Sequence, residues 1–235
     1  MNGLDLFSGI GGLSLALEPW VRPIAYCESD RYAQANLLSR MRSGELTHAP
    51  IWDDVRTLQG DSLGSWVDII YGGFPCQDLS TAGRKAGLRG KRSGLFYEIT
   101  RLTQELQPSF VFLENIAQGI NKFEQQIADE FTQLNYTARA IKMSAFDVGA
   151  NHERLRWFCL AYPNSLKLRE SNRRERRPCG KEAQEYIGTP WWTREPRVQG
   201  VAHGIPFRVD RLRGLGNAVV PVQAREAFMR LAGLK

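Results

Sequence analysis

The chain has 235 residues, a net charge of +6, 43% hydrophobic and 24% charged residues, enough for one sizeable core with a small appended lobe and ordinary for a globular protein in water. No apolar run approaches the roughly 18 residues of a membrane span, and Met1-Asn2-Gly3-Leu4-Asp5 lacks the basic-then-apolar layout of a signal peptide, so a cytoplasmic protein with no membrane partner is expected. The cysteines Cys27, Cys76, Cys159 and Cys179 are scattered and form no Cys-x-x-Cys pair, which argues against a disulfide framework or a metal site and for reduced thiols.

In chain order, Gly3 to Phe7 reads as a first strand, followed by the glycine-rich turn Ser8-Gly9-Ile10-Gly11-Gly12 and a helical stretch with Leu13, Leu15 and Leu17. Strand, glycine turn and helix is a layout that presents backbone N–H groups to a ligand. Ile24 to Cys27 is a second strand ending at Glu28, where nucleotide-binding α/β folds hold ribose hydroxyls. Arg31 to Arg42 predicts a helix, and Ile51 to Val55 the end of a third strand, with the Asp54 carboxylate beside the same crevice. Val67 to Tyr71 predicts a buried strand bounded by glycines. It runs into Gly72-Gly73-Phe74-Pro75-Cys76-Gln77, a rigid elbow at the end of a sheet where open α/β folds bind ligands. On these residues alone Cys76 fits a nucleophile and a small buried hydrophobe equally.

Between Thr81 and Ser93, three glycines accompany Arg84, Lys85, Arg89, Lys91 and Arg92, five cations without an acid among them, which suits phosphate contact. Leu95, Phe96, Ile99, Leu102 and Leu106 recur at helical spacing up to Pro108 and read as core packing. Phe110 to Leu113 is a buried strand delivering Glu114-Asn115 to the same sheet edge; Phe123, Ile127, Phe131 and Leu134 mark a helix; Ala138 to Met143 and Trp157 to Ala161 are further strands, the second preceded by His152-Glu153-Arg154-Leu155-Arg156. This alternation predicts an α/β fold with a doubly wound, mostly parallel sheet.

Composition shifts at Pro163. From Lys167 to Lys181 seven basic residues face two acids, among them Arg173, Arg174, Arg176 and Arg177, and Trp191-Trp192 and a Gly/Pro-rich run to Pro206 follow. The stretch reads either as an unstructured insertion or as a short nucleic-acid-binding lobe. A last helix runs from Val222 to Leu231 after Gly216-Asn217-Ala218-Val219-Val220-Pro221. The expected division is therefore 1–162 plus 207–235 as a catalytic and cofactor-binding domain, and 163–206 as a short target-recognition region.

Four segments, in order, resemble one family, the DNA (cytosine-5)-methyltransferases that use S-adenosylmethionine. Asp5-Leu6-Phe7-Ser8-Gly9-Ile10-Gly11-Gly12 is similar to their cofactor loop, Gly73-Phe74-Pro75-Cys76-Gln77 to their nucleophile loop, Glu114-Asn115-Ile116 to their Glu-Asn-Val motif, and Gly216-Asn217-Ala218-Val219 to the C-terminal segment that folds back onto the cofactor site. The tail around Arg208-Val209-Asp210-Arg211-Leu212 looks most like small phage and prophage members. There are departures. The family's Gln-x-Arg-x-Arg stands here as His152-Glu153-Arg154-Leu155-Arg156, and the region between Pro163 and Pro206 is short for a target-reading domain.

The resemblance implies a Rossmann-like class I methyltransferase fold and methyl transfer from S-adenosyl-L-methionine, with S-adenosyl-L-homocysteine as product, to C5 of cytosine in a specific double-stranded DNA sequence. It implies catalytic roles for Cys76, Glu114, Arg154 and Arg156. Cofactor contacts fall to Phe7, Ser8, Gly9, Gly11, Gly12, Glu28 (ribose), Asp54 (adenine amino group), Pro75, Asn217, Ala218 and Val219. DNA contacts fall to Gln77, Ser80, Arg84, Lys85, Arg89, Lys91, Arg92 and the 173–177 arginines. A monomer is expected. Two other readings stay open: cytosine-5 methylation of tRNA, and a catalytically inactive DNA-binding relative.

Overall fold

The computed structural model describes residues 1–63, 66–75, 93–121, 123–166, 168 and 218–234. The apolar runs form strands β1 (Asn2–Leu6), β2 (Arg22–Cys27), β3 (Ile51–Trp52), β4 (Ile69–Gly73), β5 (Phe110–Ile116), β6 (Tyr136–Met143) and β7 (Arg156–Pro163). They make one seven-stranded sheet in the order β3-β2-β1-β4-β5-β7-β6. Neighbours from β3 to β5 pair parallel, whereas β7 runs antiparallel to both β5 and β6. The expected mostly parallel α/β sheet is what forms. Strand order reverses between β1 and β4, and the crevice outside their carboxyl ends is where such sheets bind ligands.

The periodic segments form α1 (Gly12–Leu17), α2 (Arg31–Arg42), α3 (Phe96–Leu106), α4 (Ala117–Ile120), α5 (Glu124–Gln133) and α6 (Pro221–Ala232). Local chemistry sets their ends. The Asp30 carboxylate accepts from the Tyr32 and Ala33 amides to start α2. Pro221 supplies a preset φ at the start of α6, and Gly233 closes it at φ 68°. Leu13 and Leu17 of α1 and Ala224 and Phe228 of α6 pack with Ile69, Phe112 and Phe158 on one face of the sheet. Ile99 and Leu102 of α3 and Ile127 and Phe131 of α5 pack with Leu6, Val111 and Leu113 on the other. Burial on both faces is why the central strands read as continuous apolar runs rather than alternating ones.

Several strand boundaries differ from the sequence reading, and three of them bear on the site. β3 stops at Trp52 because the Asp54 carboxylate accepts its own chain's Arg56 amide (3.0 Å) and the Asp54 carbonyl accepts the Thr57 amide (3.0 Å), a turn that competes with strand pairing. β4 continues through Gly72 and Gly73, which pair with Leu113 and Glu114, so the elbow begins at Phe74. β5 likewise runs through Glu114 and Asn115, held by β7. Among the described residues no helix is long and apolar enough to cross a membrane, and no group of three or more His, Cys, Asp or Glu side chains is placed to hold a metal.

Candidate active site

The first half of the site is the turn after β1. Phe7 sits at φ 54°, a left-handed conformation that strains a residue with a Cβ, and Gly9 and Gly11 follow at φ 55° and 81°, values that glycine adopts freely. The turn is stitched to the end of β2: the Ser8 amide donates to the Cys27 carbonyl (3.1 Å) and the Gly9 amide to Glu28 Oε2 (2.7 Å). Glu28 Oε1 accepts from the Asp30 amide (2.7 Å). The structure therefore brings Phe7, Ser8, Gly9 and Glu28 together. Gly12 faces the C-terminal segment, where an added Cβ would lie 2.7 Å from Val219 Cγ1. Asp54 adds a carboxylate whose charge, like that of Glu28, is felt at Cys27; it accepts from Arg56 Nε and Nη2, and that guanidinium holds its pKa below the usual carboxylate value.

Beneath the turn lies a polar cluster to which the sequence reading gave no role. Asp5 is fully buried, its Oδ2 accepts from Ser14 Oγ (2.6 Å), and Ser14 Oγ is 2.8 Å from the Tyr71 hydroxyl. Burial, opposed by the Ser14 and Ser8 bonds, pushes the Asp5 carboxyl up to about 7. These three residues tie β1, α1 and β4 together below the crevice.

The second half is carried by β4, β5 and β7. Because β7 is antiparallel, its first residues stand at the edge where β4 and β5 end. Glu114 pairs with Phe158 and Ile116 with Arg156, which puts Glu114 and Arg156 in a diagonal relation that long side chains can span. Arg156 Nε meets Glu114 Oε1 at 2.7 Å, both side chains nearly buried. Burial raises the Glu114 carboxyl to about 6, against the lowering pull of Arg156 and Arg154. Arg154 has its own pKa lowered by burial and by Arg156, and it donates to the Ala218 carbonyl. A Cβ on Gly73 would come 3.0 Å from Glu114 Oε2, so the neck of the Cys76 loop adjoins this carboxyl. Asn115 Nδ2 donates to the Phe74 carbonyl (3.1 Å), fixing the strand exit just before Pro75. Asn115 stands in a motif the sequence displays, but only the fold shows what it holds.

Two of the four cysteines are poor nucleophiles in place. Cys27 and Cys159 are buried, and burial raises the first thiol to about 12 and pushes the second well above its usual value. His152, in the variant position of the arginine motif, has Nδ1 3.4 Å from Asn151 Oδ1. Cys76, Asn217, Gln77, Ser80, Arg84, Lys85, Arg89, Lys91, Arg92, Arg173, Arg174, Arg176 and Arg177 lie outside the described residues.

Comparison with known proteins places the whole chain, rather than these residues, in a family. The family model described as C-5 cytosine-specific DNA methylase matches residues 1–191. Type II methyltransferase M.CviJI of Paramecium bursaria Chlorella virus IL3A is 31% identical over 97% of this chain and 58% of its own. M.HhaI of Haemophilus parahaemolyticus is 31% identical over 70% of this chain and 50% of its own. The chain thus spans about half the length of the curated relatives it matches. A solved putative DNA modification methyltransferase from an Escherichia coli prophage superposes with TM-score 0.57 and 27% identity, covering 72% of this chain and 48% of that one. Spodoptera frugiperda DNMT2, at 21% identity and TM-score 0.59 over 74% of this chain and 53% of its own, shares the fold. The chain belongs to the C-5 cytosine-specific DNA methylase family.

Proposed function

We propose that the chain transfers a methyl group from S-adenosylmethionine to C5 of cytosine in a specific double-stranded DNA sequence, by attack of Cys76 on C6 of a flipped-out base. The observation that carries this reading is the buried Glu114–Arg156 pair, with the Glu114 carboxyl raised to about 6 by burial, beside the strand exit that leads to Cys76. Cytosine C5 is a weak nucleophile. Addition of the Cys76 thiolate to C6 forms an S–C6 bond and pushes an electron pair through the ring toward N3, leaving C5 enamine-like. Glu114, protonated within reach of neutral pH, gives its proton to N3, and Arg154 and Arg156 offset the charge developing there and at O2. The bound cofactor would supply the methyl group to C5 and leave as S-adenosylhomocysteine; the C5 proton would then leave to water, the N3 proton return to Glu114, and the S–C6 bond break to free the Cys76 thiolate. The target base is inaccessible inside a duplex and must be extruded, a task for the basic Gly-rich loop after Cys76.

The cofactor reading is supported by the cradle itself: the open Gly9 turn, where an added Cβ would touch nothing within 4 Å, Glu28 beside it, and Val219 closing on Gly12. When bound, S-adenosylmethionine supplies the methyl sulfonium. Phe7, Ser8, Gly9, Gly11, Gly12 and Pro75 would line the site, Glu28 would accept from the ribose hydroxyls, and Asn217, Ala218 and Val219 would close it. Asp54 would reach the adenine amino group by releasing Arg56, an exposed ion pair that solvent screens. Residues 1–162 with 207–235 form the catalytic unit and 163–206 reads the target.

The test is bisulfite sequencing of plasmid DNA from cells expressing wild type or Cys76→Ala. Protected cytosines in one short context with wild type, and none with the variant, are expected. Retained protection with Cys76→Ala would sink the mechanism, and no protection with either protein would sink the DNA reading and leave tRNA methylation or an inactive binder.

A further inference from the structure

Gln223 is fully buried on α6, at a position where the helix otherwise turns Ala224, Ala227, Phe228 and Leu231 to the core. Its amide makes two donations, to the Met143 carbonyl at the end of β6 (2.8 Å) and to the Arg154 carbonyl (3.0 Å). Arg154 is held at φ 34°, a backbone state that a residue with a Cβ keeps only where its surroundings over-determine it. The Arg154 guanidinium returns to the Ala218 carbonyl, just before α6. The chain thus closes a ring: α6, the Gln223 amide, the Arg154 backbone, the Arg154 side chain, Ala218 and α6 again. One side of this ring leads to Glu114 through Arg156, two residues on from Arg154. The other leads to the glycine turn through Val219 and Gly12.

A second observation says that the donors, rather than the bulk, are what the position requires. Gln223 Oε1 is buried with no hydrogen-bond partner among the described residues, an unfavourable placement that leucine or methionine would avoid while filling the same space. An uncharged amide with two hydrogens satisfies two carbonyls at once and does so at any pH.

We propose that Gln223 is a positioning residue that locks the Arg154 turn to the Ala218–Val219 segment, so that closure over the cofactor and the placement of the base-site arginines are energetically coupled. This rests on the methyltransferase reading and deepens it. A cofactor filling the cradle steadies Val219, Ala218 and, through the ring, Arg154; the flipped cytosine then meets an arginine already in place. By reciprocity, cofactor in the cradle and base at the Arg154 end then strengthen each other's binding by the same factor.

The experiment is a double-mutant cycle read in binding of S-adenosylhomocysteine to the full chain by calorimetry, without DNA, with melting temperatures recorded for every variant. Gln223→Met and Arg154→Ala should each weaken binding by about three- to tenfold, and the double variant should be no more than about twofold worse than either single one, because contacting residues in one network are non-additive. Gln223→Asn, which keeps the donors but reaches one carbonyl at most, should fall between wild type and Gln223→Met and serves if the methionine variant does not fold. Fully additive losses, or an Arg154→Ala variant that binds as wild type does, would overturn the coupling even if Gln223→Met melts earlier. A wild type that binds no S-adenosylhomocysteine would overturn the cofactor reading itself, and the coupling with it.

Discussion

Glu114 shows how a single side chain acquires its chemistry from its place. A carboxyl on an exposed strand end stays near its ordinary value. Here burial raises it from 4.5 to about 6, although Arg156 and Arg154 pull the other way. The folded state then binds the Glu114 proton more tightly than the unfolded chain does. The associated stability is fully present below about pH 4.5 and is lost as pH rises through 6. The shift corresponds to roughly 2 kcal/mol at 1.36 kcal/mol per pKa unit. Glu114→Gln has no proton to lose, so its melting temperature should gain on wild type by about 3 to 6 °C between pH 4.5 and 6.5. A difference that is flat with pH would show that the carboxyl is not raised. The same substitution should abolish proton delivery to N3 and with it most methyl transfer.

Between elements, the close approach that matters most is α1 against the segment leading into α6. Gly12 opens α1, and Val219 occupies the space a Cβ would need, with its Cγ1 2.7 Å and its carbonyl oxygen 3.3 Å from that position. Arg225 adds to the junction by donating from Nε to the Ala16 carbonyl (2.9 Å) and from Nη2 to the Leu15 carbonyl (3.0 Å), carbonyls left without helical partners at the end of α1. Gly12→Ala should push Val219 off the turn and weaken S-adenosylhomocysteine binding by about tenfold, on the scale of a small steric clash. Val219→Ala in the same chain removes the obstructing methyl groups and should recover most of that loss in a titration. No recovery would mean that the turn itself, rather than the contact with Val219, was damaged.

At the scale of the molecule, α6 ties residues near the C-terminus to the first helix and the middle of the sheet. Phe228 is 2% exposed, with ring centroids 5.3 Å from Phe112 on β5 and 5.5 Å from Trp20 after α1. Such a ring is held by area burial and by edge-on and tilted aromatic contacts. Phe228→Ala should destabilise the fold by about 3 to 5 kcal/mol, measurable by urea unfolding. A loss below about 1 kcal/mol would mean that α6 is not part of the cooperative core. Because α6 also carries Gln223 and follows Ala218 and Val219, loosening it should reach the cofactor cradle and the base site together.

The sequence by itself determined the alternation of strands and helices, the mostly parallel sheet, the glycine turn, Glu28, Glu114 and the arginine pair, because each of these is written in local pattern or in a short motif. Apolar runs bounded by glycines make strands wherever they are buried, and Asp30 and Pro221 start helices through contacts within a few residues. What only the tertiary structure decided are relations between distant segments. The antiparallel direction of β7 is invisible in its own residues, yet it is what carries Arg156 to Glu114. The extension of β4 through Gly72 and Gly73 depends on neighbours in β1 and β5, which override the tendency of two glycines to end a strand. Asp54 reads as a crevice carboxylate, and only the fold shows that the Arg56 guanidinium two residues away pairs with it. Asn115 and Gln223 are ordinary amides in sequence, and their partners, Phe74 and Arg154, lie 41 and 69 residues away. A hydrogen bond across such a distance leaves no period or spacing to read. It exists only once the core has brought both segments to the same edge of the sheet.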